Sequence, residues 1–236
     1  MNRRRIFVTG GGGFVGRTLL RKLSRIEGME IVALDRSGSV ASPGSDARIT
    51  IVRGDLLEPE TYERALAGCD CVLHLAAATG KALRHAQERD TASGTEALVD
   101  ACRRTGIQRF LLVSSIAASF PDQPGYAYAR AKERAERAVR ASGLRFAILR
   151  PTMIFGDGAP VLASLTTLAL LPAMVVPGTG RVVVQPVSVD DVVTAILTIL
   201  ERDWFDSETF ELGGPERLTM EELMQRLRIE RRRARG

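Results

Sequence analysis

A chain of 236 residues with 45% hydrophobic content is long enough for one sizeable core, with room for a small second lobe on the same sheet, and a soluble globular protein is expected. The formal charge of +5 sits at the two ends, in Arg3, Arg4 and Arg5 and in six Arg against Glu230 between Arg226 and Gly236. The body between them is mildly acidic, so no general nucleic-acid surface is implied, and the Arg-rich end reads either as solvated or as a contact for RNA, a membrane surface or an acidic partner.

The first apolar run, Ile6 to Thr9, is a strand reached too early to leave room for the core of a signal peptide. It leads into Thr9-Gly10-Gly11-Gly12-Gly13-Phe14-Val15-Gly16, then a helix whose apolar face is Val15, Leu19, Leu20, Leu23 and Ile26. Strands follow at Glu30 to Leu34, ending on Asp35-Arg36, at Ile49 to Val52, before Gly54-Asp55-Leu56, and at Val72 to Leu75. Ala97, Leu98, Ala101 and Cys102 mark the next helix, and Phe110 to Val113 a strand that ends on Ser114 and Ser115. A long helix is predicted from Tyr128 to Ala141, stopped by Ser142-Gly143, and another strand at Phe146 to Leu149.

After Pro151 the rhythm changes. Gly156 to Gly158 and Pro177 to Gly180 read as loops, Arg181 to Val184 and Thr209 to Leu212 as strands, Asp190 to Glu201 as a helix, and Thr219 with Glu222 as the capping box of a last helix. Val161 to Val176 carries no charge, but it is shorter than the roughly 20 residues of a membrane span and Pro172 interrupts it, so a buried or ligand-facing helix pair is expected, with interfacial membrane contact as the alternative. Cys69, Cys71 and Cys102 have no C-x-x-C spacing and only His74 and His85 to join them, which predicts buried thiols, no metal site and a reduced, cytoplasmic setting.

Strands alternating with helices argue for an α/β, doubly wound Rossmann-type parallel sheet, spanning residues 1–154, with a small substrate-side lobe over 155–236 packed on the same sheet. In that setting Gly10, Gly13 and Gly16 form a G-x-x-G-x-x-G turn that brings backbone N–H groups to a pyrophosphate and lets the helix sit close to the strand. Asp35, about 20 residues on, stands where an acid accepts ribose hydroxyls, which favours NAD; Arg36 beside it could instead pair with the 2′-phosphate of NADP. A plainer reading makes Asp35 a turn residue before Ser37-Gly38. Asp55 falls where the adenine edge should lie; its plainer reading is an N-cap for the following helix.

Tyr128 and Lys132 lie four apart on one helical face. A nearby ammonium and a positive nicotinamide would favour the phenolate, making Tyr128 a usable base; the alternative is a half-buried Tyr and a solvated Lys on an amphipathic helix. Ser114 or Ser115 would hold a substrate oxygen or only tie off the strand end.

These pieces, with His74-Leu75-Ala76-Ala77, Gly94-Thr95, Arg150-Pro151-Thr152 through Phe155-Gly156, Pro186 to Val192 and Phe210 to Pro215, resemble the extended short-chain dehydrogenase/reductase superfamily, in its NAD-dependent epimerase/dehydratase branch. Within it, the stretch from Tyr128 through Leu144 to Pro215 is similar to a group that includes an accessory subunit of respiratory complex I and its bacterial relatives, which holds its nucleotide tightly. The resemblance implies a cofactor site of Thr9, Gly10, Gly12, Gly13, Phe14, Val15, Gly16, Asp35, Arg36, Asp55, Leu56, Leu75, Ala76 and Ala77. It gives Tyr128 the base role, Lys132 the nicotinamide ribose, Ser115 (or Ser114) the substrate hydroxyl, and places Pro151 and Ile154 against the nicotinamide. Thr91 departs from the Asn common at its position, and the C-terminal lobe is short.

The expected function is an NAD(P)-dependent oxidoreductase or epimerase acting on a secondary alcohol, of a nucleotide sugar or similar polar metabolite. The rival is a catalytically silent NAD(P)-binding structural or assembly subunit. No nucleic acid and no transmembrane segment are expected, and a homodimer is compatible with either.

Overall fold

The computed structural model describes residues 4–40, 48–78, 82–121 and 125–233. Arg3 of the basic start and the last three residues of the Arg-rich end lie outside the described residues. In chain order the elements are β1 (Arg4–Thr9), α1 (Phe14–Leu23), β2 (Met29–Asp35), β3 (Ile49–Arg53), α2 (Glu63–Leu66), β4 (Cys71–His74) and α3 (Arg84–Gln87). A π-helical turn, Glu88–Ser93, then joins α4 (Gly94–Thr105), β5 (Arg109–Val113), α5 (Ala127–Arg140), β6 (Arg145–Pro151), β7 (Ile154–Phe155) and α6 (Pro160–Ala169). The chain closes with β8 (Val183–Val184), β9 (Val187–Ser188), α7 (Val189–Arg202), β10 (Glu208–Leu212), β11 (Leu218–Thr219) and α8 (Met220–Arg233).

Seven strands form one sheet in the order β10-β6-β5-β4-β1-β2-β3, every neighbouring pair parallel. Along β1, Ile6 and Val8 face one side and Phe7 the other, and all three are fully buried, because helices cover both faces of a parallel sheet. On one face Leu19, Leu20 and Leu23 of α1 and Val192, Val193 and Ile196 of α7 pack on Ile6, Val8 and Leu73. On the other, Leu98 and Cys102 of α4 and Ala135 and Val139 of α5 pack on Phe7, Val72 and Phe110. The chain turns back between β1 and β4, so the crevice at the carboxyl ends of these two strands is the switch point where such sheets bind ligands.

Three differences from the sequence reading concern the second half. β10, assigned by the sequence to the small lobe, is a strand of the main sheet beside β6, and α7 packs on α1; α6, α8 and the short β8/β11 pair share a core of Leu165, Ala169, Met220, Leu223 and Met224. The uncharged run holds one helix, α6, and then irregular backbone, because Pro172 cannot donate to a helix and pushes Leu171 out of helical geometry. Two residues, Val183–Val184, are all that pair in the expected strand from Arg181.

Caps fall where the sequence puts them. The Thr219 hydroxyl accepts from the Glu222 N–H at 3.2 Å while Glu222 accepts from the Thr219 N–H at 2.7 Å. Cys69, Cys71 and Cys102 are buried free thiols that desolvation pushes up to about 11, 12 and 12. Among the described residues no helix is long and apolar enough to cross a membrane, and no cluster of three His, Cys, Asp or Glu could hold a metal ion.

Candidate active site

The glycine turn forms one wall of a cleft of about 260 Å³. Thr9, Gly10, Gly12 and Gly13 line it, with Asp35, Arg36, Asp55 and Leu56 at one end and Leu75, Ala76 and Ala77, just past β4, opposite the turn. Gly10 is left-handed (φ +72°), and a Cβ there would stand 2.6 Å from the Ala76 nitrogen; a Cβ on Gly16 would stand 2.1 Å from the Gly10 carbonyl oxygen. Strand loop and helix therefore approach as closely as backbones can. The helix begins with Gly13, no side chain caps it, and no acid occupies its first turn, so its amides are left for an anion. These residues fit a dinucleotide pyrophosphate.

The wall opposite the turn is held by a buried imidazole. His74 Nδ1 lies 2.6 Å from the Thr9 hydroxyl and Nε2 lies 2.9 Å from that of Thr95. The Thr95 hydroxyl donates to the Thr91 carbonyl, so it accepts from Nε2–H, and Thr9 donates to Nδ1 while accepting from the Ala76 N–H at 3.3 Å. This assignment needs a neutral ring. Burial, with Lys132 nearby, pushes His74 down to about 3. Thr91, at the position of the family's Asn, accepts the Ala78 N–H at 3.0 Å and so ties down the same loop.

Asp35 stands at the cleft edge, but its carboxylate is engaged within its own loop. It accepts from Gly38 N–H and Ser39 N–H at 3.1 Å, from the Ser39 hydroxyl and Arg53 Nη1 at 3.3 Å, and from Val40 N–H at 3.4 Å. A carboxylate has about four acceptor sites. The side chain that the resemblance assigns to the ribose thus acts in this structure as the turn residue of the plainer reading. Asp55 likewise accepts the Leu57 N–H at 3.0 Å, closing a turn ahead of the Pro59–Thr61 turn of 3-10 helix.

Arg36 crosses the cleft mouth to Asp90 at 3.1 Å and to Asp55 at 3.6 Å. Burial acts to raise the Asp90 carboxyl, but hydrogen bonds from Arg89 and Arg36 hold it below the usual carboxylate range. Asp90 belongs to the π-helical turn and is absent from every sequence motif.

At the carboxyl end of β5, three consecutive residues meet three positions spaced four apart on α5. The Val113 carbonyl accepts from Lys132 Nζ at 2.8 Å, the Ser114 hydroxyl donates to Glu136 at 2.6 Å, and the Ser115 side chain faces the Tyr128 phenol. The two serines face different partners. Ser114 is buried and turned to Glu136; Ser115, half-buried, also accepts the Ala117 N–H at 3.2 Å and faces the phenol. Lys132 is buried, not solvated, and desolvation pushes its ammonium down to about 8 with Glu136 opposing. Burial raises the Tyr128 phenol and Ser115 lowers it, so Lys132 does not by itself set the base expected from the sequence.

Phe14, Val15 and Gly16 stand behind the turn on α1, with Phe14 against Gly156, and do not line the cleft. Tyr128, Lys132, Pro151 and Ile154 also lie outside it, at the carboxyl ends of β5 and β6 and in β7, farther along the same sheet edge. Gly11, Ser39, Ala78 and Asp90 line the cleft without having been singled out in the sequence. Only Gly11 carried a signal, its place in the glycine run.

The NAD dependent epimerase/dehydratase family model matches residues 6–213. The ceramide reductase of Caulobacter vibrioides is 34% identical over 153 residues, 65% of this chain and 47% of that protein. The 2-alkyl-3-oxoalkanoate reductase of Stenotrophomonas maltophilia is 33% identical over 178 residues, 65% and 52%. The chain spans about half the length of these relatives. Among solved structures, a dTDP-glucose 4,6-dehydratase from Streptomyces venezuelae with NAD bound superposes with a TM-score of 0.80 at 25% identity, covering 94% of this chain and 80% of that one. A UDP-glucuronic acid 4-epimerase from Bacillus cereus in complex with NAD gives 0.80 at 20%, covering 93% and 80%. With the glycine turn, the cleft and the Tyr128–Lys132 pair on one sheet edge and the family model matching nearly the whole chain, this protein belongs to the NAD dependent epimerase/dehydratase family.

Proposed function

We propose that the chain is an NAD(P)-dependent oxidoreductase or epimerase that interconverts a secondary alcohol and its ketone, with Tyr128 as the acid–base group. The observation that carries this reading is the meeting of Tyr128, Ser115 and Lys132 at the end of β5, on the sheet edge that also carries the glycine turn. Ser115 would hold the substrate oxygen. Tyr128, facing that hydroxyl, would take the alcohol proton in one direction and return it in the other. Lys132 would swing its ammonium from the Val113 carbonyl to the ribose hydroxyls, and the flanking Pro151 and Ile154 would exclude water. The nicotinamide, when bound, supplies the hydride acceptor or donor. Carboxylates at Asp35, Asp55 and Asp90 around the adenosine end favour NAD over a cofactor with a 2′-phosphate.

Nucleotide sugars are the substrate class that fits the sequence reading and the structural neighbours. A second reading, one-way reduction of a ketone, is favoured by the curated relatives, whose names are those of reductases. A panel of nucleotide sugars, 3-oxoacyl compounds and simple secondary alcohols, followed by reduced-nicotinamide absorbance, tests both. Turnover that Tyr128→Phe abolishes, with NADH affinity changed less than about three-fold, supports the proposal. No turnover across the panel, with Tyr128→Phe leaving the biological function intact, sinks it in favour of a silent nucleotide-binding subunit.

A further inference from the structure

The Tyr128–Lys132 helix carries one more buried ionised group, which the chemistry above does not use. Glu136 is 2% exposed, one turn beyond Lys132 on the same face of α5. Its Oε1 accepts from Ser114 Oγ at 2.6 Å and Arg150 Nε at 2.9 Å; its Oε2 accepts from Arg150 Nη2 at 2.7 Å and Arg140 Nη2 at 3.1 Å. Arg150 reaches on to Glu211 at 3.3 Å, and Arg140 to the Thr209 hydroxyl at 2.8 Å. One carboxylate therefore joins α5 to β5 and β6, and through the two arginines to β10. Isolated ionised carboxyls are not kept in protein interiors; this one is matched by a bidentate guanidinium fork.

We infer that Glu136 is a positioning residue for the Tyr128–Ser115–Lys132 centre: its forked carboxylate locks the end of β5 onto α5, so that the Val113 carbonyl and Ser115 meet Lys132 and Tyr128, and it keeps a negative charge beside the Lys132 ammonium. The inference rests on the function proposed above. Ser114, bonded to Glu136, lies between Val113 and Ser115 in the chain, so the position of Glu136 sets where both neighbours stand. Burial opposes the charge on Glu136, but Arg150 and Ser114 hold it below the ordinary carboxylate range. The charged or titratable groups near Lys132 are Glu136 and Tyr128 on α5, His74 on β4 and, behind Glu136, Arg150 on β6 and Arg140. Glu136 is the one carboxylate in contact with this set from α5.

The test titrates the three lysines, Lys22, Lys81 and Lys132, by carbon-13 labelling at Cε in the cofactor-free protein, and measures NADH affinity by fluorescence over the same pH range. In the wild type Lys132 is expected to titrate near 8 and NADH to weaken as the pH rises through that point. With the carboxylate neutralised in Glu136→Gln, the charged lysine loses a nearby negative charge, and both midpoints should fall by about one pH unit; Glu136→Asp should bring them back to within about 0.3 of wild type. Midpoints that coincide in wild type and Glu136→Gln overturn the proposal. Should Glu136→Gln not fold, Ser114→Ala carries the test: losing that one bond should weaken NADH at least about three-fold at neutral pH, and wild-type affinity overturns the proposal. The function proposed above fails separately, and takes this role with it, if wild-type NADH binding is flat across the Lys132 titration.

Discussion

Alanine at Gly10 tests how tightly the cofactor turn is built. Two penalties add there. An L-residue at φ +72° costs about 1 to 2 kcal/mol, and the new Cβ would sit 2.6 to 2.8 Å from backbone atoms of Leu75 and Ala76, an overpacking worth about 1 to 3 kcal/mol. The neighbours cannot step aside easily, because the Ala76 N–H is held by Thr9, which is in turn held by His74. Two further substitutions separate the contributions. Gly143 has φ +75° with nothing within 4 Å of its Cβ position, so Gly143→Ala isolates the strain. Gly16 lies in α1, and its Cβ would meet the Gly10 carbonyl oxygen at 2.1 Å, so Gly16→Ala isolates the clash. Urea unfolding followed by circular dichroism should rank Gly10→Ala near 3 kcal/mol below wild type and Gly143→Ala near 1, or about 6 to 12 °C and 2 to 4 °C in Tm for a chain of this size. NADH affinity should fall with Gly10→Ala and Gly16→Ala and not with Gly143→Ala. A Gly10→Ala protein no less stable than Gly143→Ala would refute the close approach of the two loops.

Two further outcomes follow from the charges around the cleft. Burial holds His74 near 3 against an ordinary 6.5, so below pH 6.5 the unfolded chain binds a proton that the native ring refuses. The stability from a neutral His74 is complete above pH 6.5 and is lost as the pH falls toward 3, at about 1.4 kcal/mol per pH unit. Urea midpoints measured at about pH 7 and about pH 5 should show this slope, and His74→Gln should remove one proton's worth of it; an unchanged slope would contradict the neutral, doubly bonded ring. At the adenosine end, Asp90→Asn removes one of three carboxylates and releases Arg36, so the ratio of NADPH to NADH affinity should rise about five-fold at low ionic strength. A ratio that stays put would mean that Asp90 lies outside the reach of the 2′ position.

Much of the fold was legible because its signals are local. Buried parallel strands write themselves as apolar runs, amphipathic helices as three- and four-residue spacings, and the turn from Gly10 to Gly16 as glycines between them. The spacing of Tyr128 and Lys132 likewise predicts one helical face, and α5 presents both at the same strand end. Val161 to Val176 was read only in part, since lack of charge does not say whether a second helix follows Pro172, and the one helix there ends at Ala169.

The sequence by itself determined the class of sheet, the glycine turn and the placing of Tyr128 and Lys132 on one helical face, each encoded within a few residues of chain. Only the tertiary structure decided which serine faces Tyr128, that Asp35 closes its own loop with help from Arg53, that Asp90 latches Arg36, and that β10 completes the main sheet beside β6. The partners in those contacts stand 13 positions apart for Ser115 and Tyr128, 18 for Asp35 and Arg53, 22 for Ser114 and Glu136, 54 for Arg36 and Asp90, and 61 for Ile148 and Thr209. Which of many eligible acids or hydroxyls meets a given cation is set by how helices seat on the sheet, and no local periodicity carries that information.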